Sequence, residues 1–578
     1  GKTRALVNRI ARLVHDGVVP ARILAVTFSK KAADEMNVRL KGLGVTEARV
    51  GTWHSLALQV LRGDAHRVAG YVIDETDRFR VNVKMACGHK FLDWKGADVT
   101  KICSFIGFCK ANMWSADSAE ALLEANRRFA HEAYLACQTY ASADDLTDQA
   151  GLLTFDDMLL HCARHLLIDV NVERWTARWH YVLQDEAQDA NVAQMTIARA
   201  LASEHRNYMV VGDFRQAIYG FRGSDPAHFT SFPEEWDAAS VSMCRNYRSG
   251  AAIISAANMV CEEAWPGTGD MVAESGDKGS ATALEAAGLD EEAQAFVAWL
   301  KTRREDGRKW SDFTALFRTN AQSRALEEEL LNERIPYVVV GAASFYERKE
   351  VKDVLAYLRV AVGRDRDGDA VKRCINAPFR YLGAKFVERV MALAAHGRGW
   401  SEAVEQAAQQ AGVGRHQAEG AHEWVSIVTE LSSMNDQPGA ILQWLVDRTQ
   451  FIQHLTRDEG EESVENSRAS NVRELIRVAG RFATTDQLLD YIDQSIAAAK
   501  VARKKTGDRV LLMSIHRSKG LEWPCVWVVG CNEGILPHAY GNRDEERRLF
   551  YVAVTRARDE VVCSWVREMT TKSGLRHF

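Results

Sequence analysis

Short apolar runs that each end in a polar or charged residue recur along this 578-residue chain. The runs and the residues they lead to are Ile23–Val26 before Thr27, Tyr181–Leu183 before Asp185, Tyr208–Val211 before Gly212-Asp213, Thr314–Phe317 before Arg318, and Val510–Met513 before His516. Helical patterns lie between them, as at Lys30–Leu40 and Ser323–Asn332. Fully apolar runs are typical of parallel strands buried on both faces, with functional loops at their carboxyl ends. The pattern predicts an alternating α/β fold built on parallel sheets.

Two mostly helical stretches interrupt this alternation, and the chain is too long for one hydrophobic core. We therefore predict two parallel-sheet domains, each with an inserted helical domain. The first sheet domain would comprise residues 1–65 and 150–235, with residues 66–149 as its insertion. The second would comprise residues 236–372 and 501–578, with residues 373–500 as its insertion.

Composition narrows the kinds of partner. The chain is 47% hydrophobic and 26% charged with a net charge of −5, so it lacks the basic excess of a duplex binder that ignores sequence. Any nucleic-acid site must then be a local groove in which base stacking supplies part of the affinity. No apolar stretch approaches the roughly 18 residues of a membrane span. We expect a cytosolic protein.

The 11 cysteines show no disulfide framework. The group formed by Cys87, His89, Cys103 and Cys109 fits no common zinc spacing, so ordinary burial is favoured over a metal site.

The chain opens with Gly1-Lys2-Thr3, the last three positions of the phosphate-binding pattern G-x-x-x-x-G-K-[ST]. In that pattern Lys2 would reach the β- and γ-phosphates of a nucleotide, and the Thr3 hydroxyl would bind Mg²⁺. The helical segment Arg4–Leu13 would turn its first amides toward the phosphates. The earlier glycine and its strand are absent, which we interpret as truncation or an incomplete record.

Asp185 and Glu186 follow an apolar run directly. We expect Asp185 to hold Mg²⁺ and Glu186 to take a proton from the attacking water. A merely solvated acidic loop is the less favoured reading, because Gln188-Asp189 follow closely. Gln216, after another run, could sense the γ-phosphate without adding charge.

Arg248 and Arg556 are candidate arginine fingers, because phosphoryl transfer needs cations placed on the transferring group. Tyr247, beside Arg248, could stack on the nucleotide base. Core packing is the alternative for this tyrosine.

Aromatic residues recur in loops after the predicted strands, at Phe28, Trp53, Tyr219 and Phe221. Several aromatics on one face fit a platform for single-stranded bases. For Phe28 and Trp53 the alternative is packing at the sheet edge. The basic and hydroxyl residues beside them could contact phosphates without reading sequence; these are Thr27, Lys30, Lys31, Thr52, His54, Arg222, His516 and Lys519.

With these blocks in this order, the chain resembles the superfamily 1 DNA helicases of the UvrD/PcrA/Rep type essentially from end to end. Further matching blocks are Thr27–Ala33, Gly51–Ser55, Thr154–Met158, Asn320–Arg324, Phe345–Arg348, Ser514–Glu522 and Glu545–Arg558. The resemblance implies two RecA-like motor domains with helical insertions and ATP bound between them. It implies ATP-site roles for Gly1, Lys2, Thr3, Arg4, Asp185, Glu186, Gln216, Tyr247, Arg248 and Arg556, a phosphate contact by Arg318 and a place near the ribose for Glu522. Strand contacts carry over to Phe28, Trp53, His54, Tyr219 and Phe221.

The sequence thus predicts an ATP- and Mg²⁺-dependent 3′–5′ helicase that acts on single-stranded DNA and its junctions with duplex, in DNA repair, replication or recombination. One alternative is a translocase that strips proteins from a strand without unwinding. Others are a non-catalytic binding module and, as a minor option, RNA as the substrate. Ala187, Phe214-Arg215, Lys30 and Phe221 depart from the family pattern and favour a divergent bacterial or phage branch, with a nucleoid-associated enzyme.

Overall fold

A computed structural model of the chain describes residues 1–75, 78–90, 92, 99–119, 130–340, 345–395, 397–457, 468–504, 507–539, 541–571 and 574–577. The contacts divide the chain into two compact units. The first contains Gly1–Ala281, Lys519–Glu522 and Leu536–Val561. The second contains Thr282–Ser518, Trp523–Ile535 and Val562–Phe578.

The first unit is built on a parallel sheet of four strands in the order β2-β1-β5-β6. The strands of the unit up to residue 279 are β1 (Ile23–Thr27), β2 (Arg49–Thr52), β3 (Val72–Ile73), β4 (Leu152–Leu153), β5 (Tyr181–Gln184), β6 (Tyr208–Val210), β7 (Arg245–Asn246) and β8 (Val272–Ala273). Strands β3 and β4 pair with each other outside the sheet, as do β7 and β8. Its helices up to residue 281 are α1 (Lys2–His15), α2 (Lys30–Gly42), α3 (Trp53–Gly63), α4 (Arg78–His89), α5 (Val99–Ala111), α6 (Ala116–Ala119), α7 (Ala130–Gln149), α8 (Phe155–His165), α9 (Asp169–Thr176), α10 (Val192–Ala202), α11 (Ala227–Thr230), α12 (Phe232–Trp236) and α13 (Ala251–Ala264).

Alternate residues of a strand point to opposite faces of the sheet. Because both sets are apolar in β1, helices cover both faces. Ile23 and Ala25 of β1 pack in one cluster with side chains of α1 and α2. Leu24 and Val26 pack in a second cluster with α3 and α8. All five residues of β1 are buried, as the apolar run predicted.

Where the structure describes it, the segment between β3 and β4 is helical. Helices α4, α5 and α7 enclose their own apolar core, with Ile102 and Phe105 near its centre. Lys110 of α5 lies buried between two carboxylates, with Nζ 2.7 Å from Asp144 Oδ1 and 2.6 Å from Asp157 Oδ1. Asp157 belongs to α8, so this ion pair joins the helical segment to a helix that packs on the sheet.

The second unit contains a sheet of six strands in the order β11-β12-β10-β13-β14-β9. The remaining strands are β9 (Ser280–Ala286), β10 (Phe313–Phe317), β11 (Tyr337–Val339), β12 (Val510–Ser514), β13 (Trp523–Val528), β14 (Ala557–Val566), β15 (Glu568–Thr571) and β16 (Gly574–His577). The first two residues of β9 and the first five of β14 fall in the first unit. Strands β11, β12, β10 and β13 pair in parallel, and β10 is buried along its whole length.

The remaining helices are α14 (Leu289–Glu305), α15 (Ser323–Asn332), α16 (Lys349–Ala361), α17 (Asp369–Cys374), α18 (Ala384–Ala394), α19 (Trp400–Ala408), α20 (Arg415–Ser433), α21 (Pro438–Arg448), α22 (Phe451–Arg457), α23 (Arg468–Ala479), α24 (Thr485–Lys504), α25 (Ile515–Ser518) and α26 (Arg543–Val554). Helices α16 to α24 share one large apolar core, which contains Trp424 and Leu442. The last helix, α26, belongs to the first unit.

The predicted α/β fold with parallel sheets is confirmed, and each predicted apolar run coincides with a strand. The domain boundaries stay a prediction. Segments 245–250, 519–522 and 543–556, which the sequence assigned to the second motor domain, lie in the first unit of the structure. Among the described residues, no helix combines the length and the apolar character needed to cross a bilayer.

Candidate functional site

The carboxyl ends of β1, β2 and β5 meet at one edge of the first sheet. The register pairs Thr27 with Thr52 and Val26 with Gln184, so the residues that follow these strands emerge side by side. Helix α1 begins at the same place, because Thr3 Oγ1 donates to Asp185 Oδ2 at 3.0 Å. The sheet edge therefore brings together residues that are more than 180 positions apart in the sequence.

Lys2 and Glu186 form the second contact between α1 and the acidic loop, with Nζ and Oε2 3.2 Å apart. Burial alone would raise the pKa of Glu186, but Lys2 and Lys519 outweigh it and hold that pKa at about 2. Burial, and then Glu186, raises the pKa of Asp185 to about 6. The two neighbouring carboxyl groups thus differ in proton affinity.

The backbone at Glu186 is strained, since φ is 51° and ψ is 46° at a residue other than glycine. Such left-handed conformations cost free energy and collect at functional sites. The turn aims the Glu186 carboxylate at Lys2 and at Gln188, whose Nε2 donates to Oε2 at 2.6 Å.

A polar network continues from Glu186 to the loop after β6. Gln188 Oε1 accepts from the Asp213 backbone amide at 2.9 Å. Gln216 Nε2 donates to Asp213 Oδ2 at 2.8 Å. The predicted γ-phosphate sensor, Gln216, is therefore linked to Glu186 through two intermediate residues, Asp213 and Gln188.

Arg248 lies in the same unit and pairs with Glu522, as does Arg558. Asn246 fixes the turn before it, because its Oδ1 accepts from the amides of Arg248 at 2.8 Å and Ser249 at 3.0 Å. The turn leaves the Tyr247 side chain outside the core, with the residue 70% exposed. This exposure favours stacking over the core packing considered for Tyr247.

Arg556 is buried, and its guanidinium donates hydrogen bonds to three neutral oxygens. Its guanidinium donates to Val552 O at 2.9 Å, Leu521 O at 3.1 Å and Thr555 Oγ1 at 3.1 Å. Burial, together with the nearby Arg248, lowers its pKa to about 10. A buried cation held by neutral acceptors is suited to an incoming anion.

The aromatic residues predicted to contact a strand lie together, apart from Trp53. Phe28 and Tyr219 stack with ring centroids 5.0 Å apart and an interplanar angle of 8°. Phe221 packs against Tyr219 at 6.1 Å and is 43% exposed. The Arg222 guanidinium lies 5.8 Å from the Tyr219 ring centroid and 5.6 Å from that of Phe221.

Trp53 lies in the apolar core, whereas the sequence predicted that it contacts the strand. It begins α3, and its side chain packs in the apolar core of the sheet, where the residue is 3% exposed. A strand cannot stack on this ring in the observed conformation, so the structure gives Trp53 the alternative, packing role. Thr27 is likewise fully buried, at the end of β1.

Of the other predicted strand contacts, Thr52 caps α3 by accepting from the Ser55 amide at 3.3 Å. His54 meets Phe155 edge-on at 5.4 Å, and burial, followed by Arg222, lowers its pKa. Lys30, Lys31 and Arg4 are exposed.

Lys519 also departs from its predicted role as a phosphate contact. Its Nζ lies 2.7 Å from Asp189 Oδ1 and also donates to Gln216 O, so the side chain is only 7% exposed. The ammonium lies 5.1 Å from the Tyr219 ring centroid. Lys519 therefore connects the polar network with the aromatic group.

Two predicted residues belong to the second unit. Arg318 follows β10 and His516 follows β12, at adjacent carboxyl ends, because Phe317 pairs with Ser514. The sequence did not single out Gln188, Asp189, Asp213 or Phe155 as site residues. All four lie inside recognised motif blocks, which was the signal that could have identified them.

Comparisons with known proteins cover nearly the whole chain. Residues 1–237 match the family model of the UvrD/REP helicase N-terminal domain, and residues 241–568 match that of the UvrD-like helicase C-terminal domain. The ATP-dependent DNA helicase PcrA of Staphylococcus epidermidis is 31% identical over 588 residues, which cover 97% of this chain and 79% of that protein. The protein of the same name from Staphylococcus aureus is 30% identical over 605 residues, with the same coverage.

Proposed function

The chain belongs to the UvrD-like helicase family and is an ATP-dependent DNA helicase, and we propose that it moves 3′ to 5′ along single-stranded DNA and unwinds the duplex ahead. We further propose that it loads at junctions of single and double strands and serves DNA repair, replication or recombination. With DNA as its substrate, its place would be the bacterial cytoplasm, at the nucleoid.

The observation that carries the proposal is the meeting of Lys2 and Thr3 with Glu186 and Asp185 at the carboxyl edge of the sheet. Lys2 would bind the β- and γ-phosphates, and the first amides of α1 would face them. Arg4 and Tyr247, both exposed, would lie against the nucleotide, with Tyr247 stacked on the base.

Oxygen ligands suited to Mg²⁺ are present in the same place. The Thr3 hydroxyl and the Asp185 carboxylate are 3.0 Å apart, and a hydroxyl beside a carboxylate is the pair that Mg²⁺ takes in phosphate-loop enzymes. Burial raises the pKa of Asp185, and a bound cation would stabilise its ionised form. When bound, Mg²⁺ would neutralise charge that develops on the phosphates.

Glu186 would act as the general base for the attacking water. Its carboxylate is now paired with Lys2, and the phosphates would draw Lys2 away. Loss of this counter-ion would raise the pKa of Glu186 and make it a better proton acceptor. The base would therefore become active only when a nucleotide is bound.

Arg556 and Arg248 would place positive charge on the transferring phosphoryl group. The neutral partners of Arg556 support this role, because its hydrogen bonds to Val552 O, Leu521 O and Thr555 Oγ1 leave its positive charge uncompensated at those contacts. Glu522, which holds Arg248 and Arg558, would lie near the ribose.

The stacked pair Phe28–Tyr219 and the exposed Phe221 would hold bases of the strand by stacking. Arg222, Lys30, Thr52 and His54 would contact its backbone. Contacts of this kind bind a strand irrespective of its sequence, as translocation requires.

ATP hydrolysis by the full-length protein, measured with and without single-stranded DNA, is the first test. Strong stimulation by DNA is expected, and hydrolysis that ignores DNA would reject the coupled motor. Duplexes with a 3′ or a 5′ single-stranded tail then test polarity, with unwinding expected only for the 3′ tail. Displacement of streptavidin from a biotinylated strand without unwinding would favour the translocase instead.

A further inference from the structure

We propose that Glu545 is a positioning residue that ties the loop Tyr219–Phe221 to the helix that ends beside Arg556, and so couples strand binding to ATP hydrolysis. The inference rests on the proposed function, in which the loop contacts DNA and Arg556 contacts the nucleotide. Glu545 itself would touch neither substrate.

The first contact is between the loop backbone and the first turn of α26. The Gly220 amide donates to Glu545 Oε1 at 3.1 Å. A Cβ on residue 220 would lie 2.9 Å from Glu545 Oε2, so the glycine leaves room for the carboxylate to approach the loop this closely. The two aromatic neighbours, Tyr219 and Phe221, flank this point.

A second contact lies further along the same helix. The Arg215 guanidinium lies 5.5 Å from the centroid of the Tyr551 ring and pairs with Asp213 at 2.8 Å. Tyr551 follows Glu545 by six residues, about 9 Å along the helix axis. The segment from Asp213 to Phe221 is therefore attached to α26 at two separate points.

The far end of the helix sets the position of Arg556. The Nε of Arg556 donates to Val552 O, and the guanidinium also donates a hydrogen bond to Thr555 Oγ1. Helix α26 has 12 residues and is about 18 Å long. A hydrogen-bonded helix of this length moves as one element, so displacement of the loop would shift the guanidinium.

Glu545 supplies the attachment nearest to the aromatic side chains. When bases stack on Tyr219 and Phe221, the Gly220–Glu545 bond would transmit the loop position to α26. Without that bond, the strand would still bind to the rings, but its binding would no longer orient Arg556. Strand binding and hydrolysis would both persist, and their coupling would be lost.

The test compares Glu545→Ala, Glu545→Gln and the control Asp544→Ala in the full-length protein. Asp544 is exposed in the same helical turn and pairs with Arg547 at 3.6 Å. The measured quantities are kcat and KM for ATP with and without saturating oligothymidine, the Kd for that strand, and the melting temperature.

For Glu545→Ala we expect stimulation by the strand to fall about tenfold or more, the size of a typical coupling between sites. The DNA-free kcat, the KM for ATP and the strand Kd should stay close to wild type. Glu545→Gln should restore stimulation, because its amide oxygen can still accept from Gly220. Asp544→Ala should behave as wild type.

Stimulation of Glu545→Ala equal to that of wild type would overturn the inference. The inference would also be overturned if Glu545→Ala lost DNA-free hydrolysis to the same extent as stimulated hydrolysis, or if Glu545→Gln lost stimulation as Glu545→Ala does. Either result would indicate a general structural or charge role for Glu545. If wild type itself shows no stimulation, the proposed function fails, and the inference fails with it. That result is distinct from a defect confined to the variant.

Discussion

Lys2 Nζ lies 3.2 Å from Glu186 Oε2, so the lysine expected to bind phosphate is the counter-ion of the carboxylate expected to activate water. Both residues lie at the carboxyl edge of the first sheet, and each stabilises the charged form of the other. In this state the low pKa of Glu186 makes it a poor base. If nucleotide phosphates draw Lys2 away, as we propose, the pKa of Glu186 should rise and its carboxylate should become a better proton acceptor.

Glu186→Gln should lower the kcat for ATP hydrolysis by about 10²–10⁴-fold, the usual contribution of a general base. Glutamine has nearly the same shape and its amide oxygen can still accept from Lys2 or Gln188, but it cannot take the proton from water. Affinity for ATP should be kept, as measured by equilibrium binding of a fluorescent analogue. Glu35→Gln, at an exposed pair with Arg39, is the control and should be fully active. Near-normal turnover in Glu186→Gln would sink the proposed base role.

Affinity for Mg²⁺ should weaken as pH falls below about 6. The raised pKa of Asp185 means that its carboxyl group is ionised above pH 6 and protonated below it, and a protonated carboxyl cannot ligate the metal. The apparent Kd for Mn²⁺, measured by its spin resonance without nucleotide, should rise about tenfold per pH unit below pH 6. Asp185→Asn should bind weakly at every pH. A slope that persists in Asp185→Asn would assign the titration to another group.

Phe221→Ala should weaken binding of single-stranded DNA by about 1–3 kcal/mol, the range for one base stacked on an aromatic ring. Hydrolysis without DNA should be unchanged, because Phe221 lies outside the phosphate network. The measurements are fluorescence anisotropy of a labelled oligonucleotide and ATPase rates. Tyr134→Ala removes another exposed aromatic of the same unit and serves as the control. Equal affinities for the two variants would count against stacking.

Lys110→Met should destabilise the first unit by about 3–5 kcal/mol, because it leaves the buried Asp157 and the partly exposed Asp144 without their cation. Faster hydrogen exchange in α5, α7 and α8 and a lower melting temperature would report the change. Adding Asp144→Asn and Asp157→Asn should recover part of the loss. Lys301→Ala breaks an exposed pair with Glu333 and should cost less than about 1 kcal/mol. A comparable, small effect at both lysines would refute a structural role for the buried ion pair.

Local sequence determined the strands and most of the polar groups at their ends. A run such as Ile23–Val26 has no polar face, which favours a strand buried on both sides with the following polar residue at the end of that strand. The helix Ser323–Asn332 was predicted with the bounds that it has. Asp185, Glu186 and Lys2 were identified because their chemistry is tied to the spacing of short motifs.

Only the tertiary structure decided which of these side chains face inward. Trp53 and Lys519 lie in motif blocks beside true surface residues, and sequence spacing cannot separate the two cases. Trp53 falls on the apolar face of α3, and Lys519 meets Asp189, which is 330 positions away. Likewise, the contact of Glu545 with Gly220 spans 325 positions. Burial and pairing at such distances depend on how the elements pack, and no local pattern records that packing.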